Sequence, residues 1–151
     1  MKKTKLFLTA IVIPLSCMCH ANTTNFHTTV TNLWFQGHKS NVLEIAEQRL
    51  NVNSNDIAGL ILKYECHIGF LELSSISNAA QRVLAVGTTI TSTNFVREFS
   101  LYSESINHIL SVLPHYPPAE LAADRQKIHI ANKPLPAGDI IKALQDDGYV
   151  Q

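Results

Sequence analysis

Cysteine is scarce in this sequence: there are three in 151 residues, and two of them, Cys17 and Cys19, stand inside an apolar N-terminal stretch. Only Cys66 lies further along, and a lone thiol cannot close an intrachain disulfide, so everything beyond that stretch must be held by packing. A surplus of basic charge is missing too, since twelve lysines and arginines face twelve acidic residues. Without a clustered basic face, recognition of nucleic acid is not expected. The sequence has no Gly-rich phosphate loop, no G-x-S-x-G elbow and no H-E-x-x-H zinc helix, so the common motif-defined enzyme classes lose their signatures while a rarer chemistry stays open. Beyond the N-terminus no apolar run approaches the roughly 20 residues that cross a bilayer.

What the N-terminus does contain is the layout of a secretory signal peptide, "MKKTKLFLTAIVIPLSCMCHA". Lys2, Lys3 and Lys5 make a basic start, Leu6 to Leu15 an apolar core, and Cys19 and Ala21 supply the small residues before a cleavage site. Cleavage after Ala21 is expected, with the mature chain, residues 22–151, in the periplasm or outside the cell of a bacterial-type exporter. Leu15, Ser16 and Cys17 also look like the end of a bacterial lipobox, the alternative in which Cys17 is lipid-anchored, although Pro14 departs from that motif. Loss of 21 of the 151 residues leaves 130, one compact domain's worth. Three lysines leave with the signal, so nine basic residues then face twelve acidic ones and the formal charge is −3.

The mature chain echoes itself. "LEIAEQRLNV" at 43–52 returns 34 residues later as "SNAAQRVLAV" at 77–86, and the period extends backwards. Phe26 pairs with Leu60, Val30 with Tyr64, Trp34 with Ile68, Val42 with Ile76, Ala46 with Ala80, Leu50 with Leu84 and Val52 with Val86. Steps of four within each unit predict amphipathic helices, two per unit. Gly37 with "HKSN" breaks the first pair, "NVNSND" separates the units with Asn55 or Asp56 as a cap, and Gly69 lies near the second break. "GTTITSTN" ends the second pair, with Thr93 or Asn94 available to cap the next helix. Residues 94–113 then carry Phe95, Phe99, Tyr102, Ile106, Ile109 and Leu113 on one stripe, which predicts a single long helix capping the exposed apolar face of the array. Pro114, Pro117 and Pro118 stop it. "PAELAADRQKI" reads as a further helix opened by Pro118, "ANKPLPAG" as a loop, and "DIIKALQDD" as a last short helix closed by Gly148, placing the C-terminal helices within 118–147. Asp146 and Asp147 sit at its unfavourable end, as a solvated terminus or as a binding feature. The fold class is therefore all-α: antiparallel helical hairpins, a long capping helix and short C-terminal helices in one domain.

A 34-residue helix-pair unit resembles the tetratricopeptide repeat (TPR), over residues 24–90. "GHKSNVLEIAEQRLNVNSND" carries the resemblance, with Gly37, Val42, Ala46 and Leu50 at that family's spacing. Val30 and Tyr64 stand where the family has a small residue in its first helix, and Ser54 and Thr88 where it has a helix-ending proline. A generic array of helical hairpins is the alternative. The resemblance implies a concave face lined by the first helices, and so a groove at His27, Thr31, Phe35, Ile61 and Glu65 for a protein or peptide partner. That mixture of aromatic, aliphatic and acidic groups suits an extended peptide bearing an amine or guanidinium side chain; Phe35 and Ile61 as core residues are the competing account.

No catalytic residue, cofactor or metal site is assigned. Six of the seven histidines remain in the expected mature chain, at 27, 38, 67, 108, 115 and 129, and they contain no i, i+4 pair that would present two ligands on one helix face. Cys66 and His67 hold the ingredients of a thiol nucleophile, but neighbouring helix residues point about 100° apart, and Cys66 in "LILKYECHIGF" reads as a small buried hydrophobe. Trp34 reads as packed. The leading expectation is a non-catalytic exported binding protein. An enzyme using Cys66, His67 or dispersed histidines, and a self-associating envelope protein, remain the alternatives, and the oligomeric state is open.

Overall fold

The computed structural model describes residues 25–117, 119–120 and 133–151, all helix, turn or irregular loop. Six α-helices are present among them: α1 (Phe26–Phe35), α2 (Lys39–Val52), α3 (Ile57–Phe70), α4 (Leu73–Gly87), α5 (Thr93–Val112) and α6 (Gly138–Asp146), with a 3-10 turn at Leu113–His115 after α5. The expected signal peptide, the alternative lipobox and most of the helix expected after Pro118 lie outside the described residues. No helix among those described is long and apolar enough to cross a membrane.

The hairpins close where the sequence places its breaks. After α1 the chain turns at Gly37, whose φ of 82° is the left-handed conformation glycine favours, and the His38 N–H returns to the Leu33 carbonyl at 2.8 Å. Cation–π contacts hold both ends of the first hairpin: Arg49 lies over Phe26 at 4.9 Å and Lys39 over Trp34 at 5.2 Å. Asp56 caps α3 by accepting the Gly59 N–H at 2.7 Å, and the same carboxylate takes two 2.8 Å bonds from Arg49, so one side chain fixes the start of α3 to the last turn of α2. The second hairpin differs from expectation. Helix α3 runs through Gly69 and turns at Leu71, a non-glycine residue at φ 51°. Gly69 instead leaves room for Trp34 and Lys39, which a Cβ there would meet at 3.3 and 3.2 Å.

Helix α3 is central because it is apolar on nearly every face. Ile57 to Leu62 and Tyr64 to Cys66 are all buried, and α2 and α4 pack along it. Close approach of α2 follows from small residues, since a Cβ on Gly59 would come within 3.1 Å of the Ala46 carbonyl oxygen. The paired repeat positions Val30 and Tyr64, Val42 and Ile76, and Ala46 and Ala80 are buried in both units, whereas Val52 is 92% exposed at the end of α2.

Helix α5 buries Phe95, Phe99 and Ile106 and lies between α4 and α6, so it is itself covered on one side by the C-terminal helix. Its cap differs from the expected Thr93 or Asn94: Ser92 occupies the cap position without a side-chain bond, and Asp147 supplies the acceptor from across the chain. Asp147 takes the Phe95 N–H at 3.0 Å and the Asn94 amide at 2.6 Å, which corrects the reading of this acid as a solvated terminus. The Ser92 hydroxyl foremost, then these donors, hold its carboxyl below the ordinary range. Ile140, Ile141, Ala143 and Leu144 form the buried face of α6, and Gln145 Oε1 accepts the His27 N–H at 3.0 Å. The chain's last helix thereby ties the starts of α1 and α5.

The α4–α5 contact depends on Gly87. A Cβ at that position would fall inside the van der Waals radii of the Phe99 ring, which stacks on Phe95 at 5.0 Å. Gly87→Ala is expected to destabilise the fold by about 1–3 kcal/mol through overpacking. In urea unfolding, the added substitution Phe99→Leu should recover part of that loss; an unchanged midpoint for Gly87→Ala would mean the two helices do not meet here.

Candidate functional site

The helix that fills the core carries one acid among its buried positions. Glu65 is the only buried charged side chain among the described residues. Tyr64, Glu65 and Ile68 of α3 face Glu98, Tyr102 and Ser105 of α5, which recur on one side of that helix, and Pro136 with Asp139 at the start of α6 closes a third side. Between them is a cleft of about 440 Å³. Glu65 Oε1 accepts the Tyr102 hydroxyl, and the Tyr102 ring meets that of Tyr64 edge to face at 6.1 Å. No hydrogen bond to the other carboxyl oxygen, Oε2, is present among the described residues.

Burial pushes the Glu65 carboxyl up to about 7, and the Tyr102 hydrogen bond pulls it partway back. Tyr102 is raised as well, by burial first and then by the neighbouring carboxylate. No lysine, arginine or histidine is among the described residues lining the cleft, which therefore holds three carboxyl groups, Glu65, Glu98 and Asp139, and two phenols. Glu98 is partnered outside it by Arg97 at 2.9 Å.

The residues expected to share a groove are distributed over this region unequally. His27, Thr31 and Phe35 line a second cavity of about 530 Å³ beneath Pro134 to Pro136. Glu65 lines the first cleft, and Pro136 and Asp139 border both. Ile61 is fully buried and lines neither. Nothing in the sequence singles out Tyr102, Glu98 or Asp139 for this cleft. Tyr102 is legible there only as a member of a core stripe, and the other two carry no local signal, because the cleft forms between α3, α5 and α6, which are distant from one another in the chain.

Cys66 and His67 engage different partners. The thiol donates to the Lys39 carbonyl at 3.6 Å, while His67 Nδ1 pairs with Glu72 at 2.5 Å. Burial, with Glu65 adding to it, pushes the thiol up to about 12. Among the described residues no group of three or more His, Cys, Asp or Glu is arranged to hold a metal ion. No protein-family model matches the chain, and no curated protein or solved structure is similar enough to it to count as a match.

The raised carboxyl at position 65 makes stability depend on pH. A carboxyl whose folded value lies above its unfolded value binds its proton more tightly in the fold, so stability falls as pH rises through that window. Wild type should lose up to about 3 kcal/mol between pH 4.5 and 7.5 relative to Glu65→Gln, which keeps an acceptor for Tyr102 without the charge. Denaturant titrations at the two pH values measure this, and parallel pH profiles would remove the buried acid from the account. Cys66, for its part, should resist alkylation at pH 8 in the native chain and react when unfolded; rapid native labelling would reopen a nucleophilic role.

Proposed function

We propose that the protein is an exported, non-catalytic helical binding module, TPR-like in its helix pairs, that holds a protein or peptide segment against α3 and α5 with a basic side chain directed into the acidic cleft. The carrying observation is the lining of that cleft: three carboxyl groups and two tyrosines, with no basic residue among the described ones. Carboxylates supply the counter-charge for an ammonium or guanidinium, tyrosine faces attract cations, and the apolar walls at Ile68, Ile109 and Ile140 suit the methylene stem of lysine or arginine. The neighbouring cavity at His27, Thr31 and Phe35 offers a place for adjoining residues of the same segment. Phe35, half exposed, adds an aromatic face to it.

Export follows from the signal-like N-terminus, and the negative charge of the mature chain favours a basic partner on approach. An end-blocked tri-arginine peptide added to residues 22–151 should shift the backbone amide signals of Leu101 to Ile109 in a saturable way, with blocked tri-alanine and tri-glutamate leaving them in place. Joint substitution Glu98→Gln and Asp139→Asn should weaken binding about tenfold or more, and higher salt should weaken it further. Equal response to all three peptides, or none to arginine, would sink the reading.

A further inference from the structure

Glu65 occupies a place that open-surface recognition does not need. It is at the floor of the cleft, 3% exposed, with one carboxyl oxygen bonded to Tyr102 and the other free of donors among the described residues. We propose that Glu65 is the specificity-determining residue of this site and that it exchanges its proton for the ligand's cation, so that binding an ammonium or guanidinium releases one proton to solvent and strengthens with rising pH. The inference rests on the reading that the cleft takes a basic side chain.

The exchange balances. The neutral carboxylic acid loses its proton to water, the cation keeps all of its own, and the buried pair left behind carries no net charge. Without the ligand, ionisation would leave a lone carboxylate in a poorly solvated site, so below about pH 7 the acid holds its proton until a counter-charge arrives. The Tyr102 hydroxyl stays on Oε1 throughout, and Oε2 is the oxygen that meets the incoming donor.

The surrounding groups favour this charge logic. Tyr64 and Cys66 flank Glu65 on α3, Tyr102 and Glu98 face it from α5, and Asp139 faces it from the start of α6. All of them are neutral or acidic at neutral pH, so none competes with the ligand as the counter-ion. Arg97 and Lys142, which line the outer α5–α6 seam, are engaged by Glu98 at 2.9 Å and Asp146 at 2.5 Å. Burial already holds the Glu65 carboxyl in the neutral range, which places the exchange where a one-unit change in pH moves it.

The test is calorimetric titration of the blocked tri-arginine peptide into the chain at pH 6 and pH 8, each in two buffers of different ionisation enthalpy. Close to one proton should be released per peptide at pH 6 and far less at pH 8, with the apparent Kd weakening about tenfold per pH unit on the acid side. Glu65→Gln, checked as folded by its helical circular dichroism, should abolish the release and the pH dependence, while Glu104→Gln, outside the cleft, should keep both. The carboxyl carbon signal of Glu65, assigned by its loss in that variant, should move to the ionised position when peptide is added at pH 6. Binding without proton release, or an unmoved Glu65 signal, overturns this inference and leaves the binding reading standing. No binding of the peptide at either pH overturns both.

Discussion

Burial of α3 on nearly every face is the constraint on which the rest of the structure depends. A helix that presents Ile57, Leu60, Ile61, Leu62 and Tyr64 around its circumference cannot rest on a single neighbour. Helices α2 and α4 cover two sides, which is why the chain forms consecutive hairpins about it. Among the described residues the side toward α5 is covered incompletely, and the incompletely covered part is the cleft. Its position is thus a consequence of how an all-round apolar helix is packed by a chain of this length.

The C-terminal helix sets the dimensions of that opening. Gln145 engages the first turn of α1 and Asp147 the first turn of α5, so the two ends of the hairpin array are joined through the last few residues of the chain. Both contacts are hydrogen bonds to backbone N–H groups that a helix start leaves unsatisfied, and Asp147 is acidic where the α5 dipole favours negative charge. Pro136 and Asp139 are held between these anchors, which makes them a shared wall of the two cavities instead of a free loop beside them.

Much of this was legible in the sequence and some of it was not, for reasons that separate by range. Helix positions followed from spacing: α5, expected over 94–113, spans Thr93–Val112, and the breaks at Gly37 and Gly148 both show positive φ. Asp56, one of two candidate caps, is the one used. The misplaced features all involve partners distant in the chain. Gly69 looked like a turn because its role, clearance for Trp34 and Lys39, belongs to another hairpin. The cap of α5 looked local because Asp147 lies 52 residues from Phe95. Of the groove residues that the tetratricopeptide resemblance implies, Glu65 lines the cleft, but Ile61 on the preceding turn is sealed in the core, and Tyr102, which completes the Glu65 environment, is 37 residues away.

Packing alone gives no reason for a carboxyl group at position 65. An aliphatic side chain of similar volume would fill the floor of the cleft without the desolvation that Glu65 suffers, and exchanges of that kind are often neutral or stabilising. Nor does the Tyr102 hydroxyl require an acid, since a glutamine oxygen would accept it equally well. What a carboxyl group adds at this place is a proton that can leave when a positive charge enters. Such a group needs burial deep enough to keep it neutral when alone and an open side through which a cation can reach it. The covered core face of α3 supplies the first and the gap toward α5 and α6 supplies the second, so the residue's chemistry follows from its standing at the boundary between them.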